Sequence, residues 1–253
     1  MGKLIKEGKF NYVEIGNGPP IIILHGLMGG LSNFAGVSDY FPKIGYKVII
    51  PQLPIYELSI DETNVETFSD YLHEFILFKK LDKAILLGNS LGGHIGLFYT
   101  KSYPEFVNGL VITGSSGLYE NSMGGTYPKR GDYEYIKKKS EEVFYDPKIA
   151  TKELVDEVFE SVNDRNKLIR TLAIAKSAIR HNMSKDLPYM KTPVGIIWGV
   201  NDNVTPANVG EEFHKLLPNS KLYWIDKCGH APMMEHPKKF NDILKNWLDK
   251  NNF

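Results

Sequence analysis

Three side chains in this sequence are of types that together carry out nucleophilic acyl chemistry. They are Ser90, in Gly88-Asn89-Ser90-Leu91-Gly92; Asp202, in Gly199-Val200-Asn201-Asp202; and His230, in Cys228-Gly229-His230. A serine hydroxyl is a weak nucleophile near neutral pH. It needs a base to take its proton and a carboxylate to orient that base and stabilise its protonated form. The pentapeptide G-x-S-x-G is a weak signal alone, and its flanks say more. An apolar run, "AILL", enters it, and a helical pattern with Leu91, Ile95 and Phe98 leaves it. In such an elbow the serine sits in strained backbone, so the residues two before and two after must be small, as Gly88 and Gly92 are. Gly93 and Gly96 let the following helix approach the sheet, at a helix-propensity cost of about 1 kcal/mol each. The bland alternative for Ser90 is an ordinary strand-to-helix turn.

The elements that must position these residues can be read from periodicity. "KFNYVEIG" alternates like a half-exposed strand, and "PIIILHG" and "YKVIIPQ" are continuous apolar runs of the kind found in buried parallel strands. "FSDYLHEFILFKKL" follows with helical spacing, then the strand "KAILLGNS", a helix from Leu91 to about Ser102, and the strand "VNGLVITGSS". The series resumes with "TPVGIIWGVND", the helix "PANVGEEFHKLLP", the strand "SKLYWIDKCGH" and a final helix, "PKKFNDILKNWLDK". This alternation implies an α/β fold with a mostly parallel central sheet flanked by helices. Asp202 and His230 each directly follow one of its strands. From about Leu118 to Pro188 strand signals vanish and helical, charged stretches replace them. The expected organisation is a core of residues 1–117 and 189–253, with 118–188 a helical cap over the C-terminal strand ends. "GSSGLYENSMGGTYPKRGDY", Gly114 to Tyr133, is its loosest stretch, a hinge or entrance loop.

Composition excludes several classes. The 253 residues are 42% hydrophobic, and 30 basic residues balance 30 acidic ones, so no global charge points to nucleic acid or an anionic membrane. The run Lys137-Lys138-Lys139 has Glu134, Glu141 and Glu142 around it and reads as a solvated helix face. The sequence has no apolar leader and no run of membrane-spanning length, which leads us to expect a cytoplasmic protein without a membrane partner. Lys6 stands where a myristoylation motif wants Ser or Thr. The single cysteine, Cys228, rules out an internal disulfide or a thiolate metal site, and no His or carboxylate cluster has metal-ligand spacing; no metal or cofactor is expected.

The order Ser, Asp, His, with G-x-S-x-G on a strand-to-helix turn, resembles the α/β-hydrolase superfamily. The resemblance runs over nearly the whole chain, through "LHGLMGG" (24–30), "GNSLGG" (88–93), "GVNDNVTP" (199–206) and "GHAPMMEHP" (229–237). It implies an oxyanion hole made of the backbone N–H groups of Leu27 and Leu91. The physics agrees for Leu91, which opens a helix whose first donors and dipole favour developing negative charge. Some relatives carry the triad acid one strand earlier, but Leu110 to Gly117 contain no carboxylate. Asp226, four residues before His230, is the rival acid, with a surface role as its simpler reading. His25 is expected to brace its loop and His94 to pack or hydrogen-bond on its helix, while His73, His181, His214 and His236 lack a motif and read as structural or exposed. Cys228 reads as a small core-edge residue.

The expected activity is hydrolysis of a carboxylic ester or related acyl compound, with a small, partly apolar molecule as substrate. Ser90 replaces the elbow aspartate of the dehalogenases and epoxide hydrolases that share this pattern. The stretch "PQLPIYELS" departs from the family's frequent DxPGxGxS. The runner-up is a carbon–carbon bond hydrolase of the meta-cleavage-product type, similar in "GNSLGG" and "TGSSGL" but usually with Trp where this chain has Ala231. Those enzymes hold a substrate carboxylate with a cap arginine; Arg165, Arg170 and Arg180 are available for that role, with ordinary helix-surface pairing as the simpler reading of each. A third reading, from another class, is a small-molecule binding or sensing protein on the same fold. Tyr119, Met123, Tyr127, Phe144 and Phe159 either line an apolar pocket or form the cap's own core.

Overall fold

The computed structural model describes residues 2–27, 29–119 and 129–253. Its frame is an eight-stranded sheet: β1 (Leu4–Glu7), β2 (Phe10–Ile15), β3 (Pro20–Leu24), β4 (Lys47–Pro51), β5 (Ala84–Asn89), β6 (Val107–Thr113), β7 (Val194–Gly199) and β8 (Ser220–Ile225). The spatial order is β1-β2-β4-β3-β5-β6-β7-β8; β1 and β2 run antiparallel to their neighbours and all other pairings are parallel. Among the described residues the helices are α1 (Ala35–Tyr40), α2 (Val65–Phe78), α3 (Leu91–Ser102), α4 (Tyr133–Glu141), α5 (Lys152–Asn163), α6 (Arg165–Arg180), α7 (Ala207–Leu216), α8 (Pro232–Glu235) and α9 (Pro237–Lys250).

The continuous apolar runs are strands buried on both faces, and the two-residue period of a strand sends alternate side chains to opposite layers. Ile22, Ile49, Leu86, Leu110 and Ile196 enter the layer shared with α2, α3 and α7. Their sequence neighbours Ile21, Ile23, Val48, Ile85, Leu87, Val111 and Ile197 enter the opposite layer, which contains Phe240, Leu244, Trp247 and Leu248 of α9. The edge strand β1 has no legible signal in the sequence. Four residues, mostly exposed and half of them charged, give too short a pattern to read, and such an edge discourages further strand pairing.

Because β3 and β5 to β8 are parallel, their C-terminal ends share one edge. Leu24 pairs with Gly88, Asn89 with Thr113, and Gly199 with Ile225. The loops that follow therefore gather Gly26, Ser90, Asp202 and His230 from distant parts of the sequence, where α/β sheets place their ligand crevices.

Between β6 and β7 the described chain is helical. Each of its three helices starts on a side-chain cap: Asp132 accepts from Tyr135 N–H at 3.1 Å, Thr151 from Leu154 N–H at 3.4 Å, and Asp164 from Asn166 and Lys167 N–H at 2.8 and 3.0 Å. Ile136, Val158 and Val162 form a small core of their own. The segment is tied to the sheet layer at both ends: Val143 O accepts from His230 N–H at 2.9 Å, and Ser177 Oγ accepts from Val65 N–H at 3.3 Å.

Candidate active site

Ser90 sits at the turn from β5 into α3 with φ 54° and ψ −119°, a conformation that costs a non-glycine residue free energy. Hydrogen bonds on both sides hold it there. Its N–H donates to Thr113 O at 3.0 Å, and its own carbonyl accepts from His94 N–H at 3.2 Å and Ser116 N–H at 3.3 Å. The flanking glycines are sterically required: a Cβ on Gly88 would stand 2.4 Å from the Gly92 carbonyl carbon, and one on Gly92 2.0 Å from Leu24 O. Leu91 is the first residue of α3, so its N–H belongs to the helix-terminal donors that lack an intrahelical acceptor.

His230 and Asp202 lie on the loops after β8 and β7, both nearly buried, with His230 Nδ1 2.9 Å from Asp202 Oδ2. The carboxylate is held from three further directions. Oδ1 accepts from Val204 N–H at 2.8 Å and Thr205 N–H at 2.9 Å, and Oδ2 accepts from Thr205 Oγ1 at 2.9 Å. With Nδ1–H donated to Asp202, the imidazole's Nε2 is left in the acceptor form that a general base requires. Ser90, His230 and Leu27 line one cavity of about 610 Å³, whose opposite wall comes from α4, α5 and the turn between them. A hydroxyl and an oriented imidazole that line one cavity are groups that can together perform acyl transfer.

The family model for the α/β hydrolase fold matches residues 19–142. An α/β-hydrolase enzyme of known structure, from the metagenome of sediments of the lagoon of Mar Chica, Morocco, is 58% identical, with a TM-score of 0.83 over 99% of this chain and 100% of that one. The chain belongs to the α/β-hydrolase superfamily. This α/β hydrolase is also similar to the 2-hydroxy-6-oxononadienedioate/2-hydroxy-6-oxononatrienedioate hydrolase of Pseudomonas sp., at 27% identity covering 96% of this chain and 92% of that protein. Lipase 1 of Psychrobacter immobilis is 27% identical as well, over 96% of this chain and 83% of its own.

Other residues singled out in the sequence take distinct places in this α/β hydrolase. Asp226 is exposed and Asp202 occupies the position beside His230. His25 braces its loop: Nδ1 donates to Gly26 O at 3.0 Å, Nε2 accepts from Leu53 N–H at 3.3 Å, and burial lowers its pKa. His94 is fully buried and its Nε2 lies 3.0 Å from His181 Nδ1; burial, then the neighbouring His181, lowers its pKa to about 3. Burial, reinforced by Glu235, raises the Cys228 thiol and so suppresses its thiolate. Phe144 lines the cavity, whereas Phe159 packs in the small helical core and Tyr119 is exposed. Met123 and Tyr127 lie outside the described residues. None of Arg165, Arg170 and Arg180 lines the cavity, and Arg170 Nε donates to Leu58 O at 2.7 Å.

Two residues at the site carried no usable signal in the sequence. Thr205 stands in the sequence only as part of "GVNDNVTP", yet its fully buried hydroxyl binds the Asp202 carboxylate. Asn89, the variable position before Ser90, donates from Nδ2 to Thr113 O and to His230 O, each at 3.1 Å, joining the serine turn to the histidine loop.

Proposed function

We propose that this α/β hydrolase is a serine hydrolase of carboxylic esters or related acyl compounds. Ser90 attacks the carbonyl carbon and its proton passes to His230 Nε2. Asp202 orients the imidazole and stabilises its charge, while the N–H groups of Leu27 and Leu91 receive the developing oxyanion. His230 then protonates the leaving alcohol, and water activated by the same imidazole releases the acid from the acyl-enzyme. Residues 118–188 act as the cap that closes the cavity over the reacting carbonyl. The observation that carries this reading is the 2.9 Å contact from Asp202 to His230, in a cavity whose floor includes the strained Ser90 turn.

Carbon–carbon bond hydrolysis is the second reading, favoured by the likeness to the oxononadienedioate hydrolase over 96% of this chain. A dicarboxylate substrate of the kind that name denotes needs cations. Among the described residues the lining includes a single basic side chain other than His230, Lys139, which is paired with Glu142 at 2.6 Å, while Glu153 and Glu157 add two more carboxylates. That charge pattern supports an ester without negative charge instead.

Intact mass after fluorophosphonate treatment, on wild type and Ser90→Ala side by side, tests the proposal. A single adduct on wild type alone, with ester turnover abolished in folded Ser90→Ala, is the expected result. Full turnover by Ser90→Ala overturns the serine mechanism. Turnover confined to vinylogous diketone acids moves the assignment to the second reading.

A further inference from the structure

Glu235 is the last residue of α8 and has no part in the chemistry proposed above, yet its carboxylate joins two segments of the site. Oε1 accepts from Gly229 N–H at 2.7 Å, the peptide directly preceding His230, and stands 3.8 Å from Cys228 Sγ. Oε2 accepts from Tyr145 N–H at 2.8 Å and Asp146 N–H at 3.3 Å, in the turn that leads from α4 towards α5. Val143 and Phe144, just before that turn, line the cavity, as do Ile149 and Leu154 just after it. The two segments also meet directly. His230 N–H donates to Val143 O at 2.9 Å, and a Cβ on Gly229 would stand 2.6 Å from that same oxygen and 3.0 Å from Phe144 Cα. The histidine loop and the cavity wall are therefore packed backbone to backbone, with one carboxylate across the seam.

We propose that Glu235 is a positioning residue that sets the His230 loop and the cavity wall at residues 143–146 in one fixed relation, so that the wall cannot move without displacing the imidazole. The inference rests on the serine-hydrolase reading for its catalytic consequence, but not for the coupling itself. A carboxylate suits this task because each oxygen accepts independently, and hydrogen bonds from peptide N–H to an ionised acceptor are roughly twice as strong as neutral ones. An amide has the same shape but only one accepting oxygen. Its NH₂ group faces a peptide donor on one side of the seam, which opens one of the two arms. Loss of either arm reaches both segments, because the carboxylate bridges them beside the direct bond from His230 N–H to Val143 O.

The test compares wild type, Glu235→Gln and Glu235→Ala in the full chain by two readouts. Steady-state and fluorophosphonate kinetics form the first. Glu235→Gln is expected to lower kcat and the second-order labelling rate of Ser90 together, by about tenfold, the equivalent of one charge-assisted hydrogen bond. A purely structural role would lower the melting temperature and leave kcat per folded molecule unchanged.

Backbone amide exchange forms the second readout and does not depend on turnover. Exchange at Gly229, His230, Tyr145 and Asp146 is expected to accelerate as one group in Glu235→Gln, on both sides of the seam. Acceleration confined to one side, or wild-type exchange at all four amides, overturns the coupling. Wild-type kcat and labelling rate in Glu235→Gln overturn the positioning role. If wild type itself neither labels nor turns over esters, the serine-hydrolase reading falls, while the exchange pattern still decides the coupling. Should Glu235→Ala fail to fold, the glutamine variant carries both readouts.

Discussion

Replacing Thr205 by valine removes a single hydroxyl from the best-buried carboxylate of the site. Asp202 has no exposed side-chain surface and receives four donors, of which Thr205 Oγ1 at 2.9 Å shares Oδ2 with the imidazole. A hydrogen bond to an ionised group is worth about 1.5–3 kcal/mol. The carboxylate keeps three donors and valine refills the volume, so the lower end applies, about 1.5 kcal/mol. For a chain of this size that lowers the melting temperature by about 3–6 °C. Catalysis should lose more specifically. With Oδ2 no longer fixed by the hydroxyl, the imidazole it orients gains freedom, and kcat is expected to fall about tenfold with KM little changed. Thr205→Ser restores the hydroxyl without the methyl and should recover kcat to within about twofold, although it loses packing. Differential scanning calorimetry and ester kinetics on the three proteins are sufficient. Thr205→Val with unchanged melting temperature and kcat, or Thr205→Ser as impaired as Thr205→Val, would refute the reasoning.

Charge selection should be measurable in the cavity, where Lys139, the one described basic lining residue besides His230, is paired with Glu142, and where Glu153, which has Lys152 beside it, and Glu157 are further carboxylates. A unit charge held ~6 Å from one of them in a water-like dielectric gains or loses about 0.7 kcal/mol, close to threefold. Esters of one shape that end in ammonium, tert-butyl or carboxylate should therefore rank in that order in kcat/KM. Glu157→Gln should compress the cation-to-anion ratio by about tenfold at low salt and by less at high salt; an unchanged ratio contradicts the account. Acid stability follows from the buried histidines. Burial depresses the pKa of both His25 and His94, so the unfolded chain takes up these protons at a higher pH than the native one. Their contribution to stability is thus complete above about pH 6.5 and declines as pH falls below it, by up to about 1.4 kcal/mol per pH unit for each histidine. Urea midpoints between pH 7.5 and 4.5 should show this decline, less steep in a folded His94→Gln; an identical slope would mean that His94 titrates normally.

The parts of the molecule legible in the sequence are those where one physical demand acts alone. Continuous apolar runs marked β3 to β7 because both sheet faces are buried there, and Gly88 and Gly92 marked the elbow because backbone approaches them from either side. The loops after β5, β7 and β8 were found from residue type and chain order. Thr205, Asn89 and Glu235 were not, because their roles consist of hydrogen bonds between segments remote in sequence, and a threonine, asparagine or glutamate in a loop has many commoner uses. The sequence predicts a helical cavity wall but does not choose among its aromatics: Phe144 lies in the turn after α4 and packs towards the sheet layer, whereas Phe159 lies on α5 against the small helical core, a difference that residue type does not signal.

The strand order has a consequence for the time course of synthesis. The chain closes its sheet with β7 and β8 at one side, and the loops that bear Asp202 and His230 depend on those last two strands. A polypeptide made from its N-terminus exposes β5 and Ser90 well before either strand exists. During that interval the serine has no imidazole to take its proton and is chemically as idle as any surface hydroxyl. On the proposed mechanism, an arrested or truncated nascent chain is catalytically silent, and the onset of esterase activity marks the moment at which the final strand has docked.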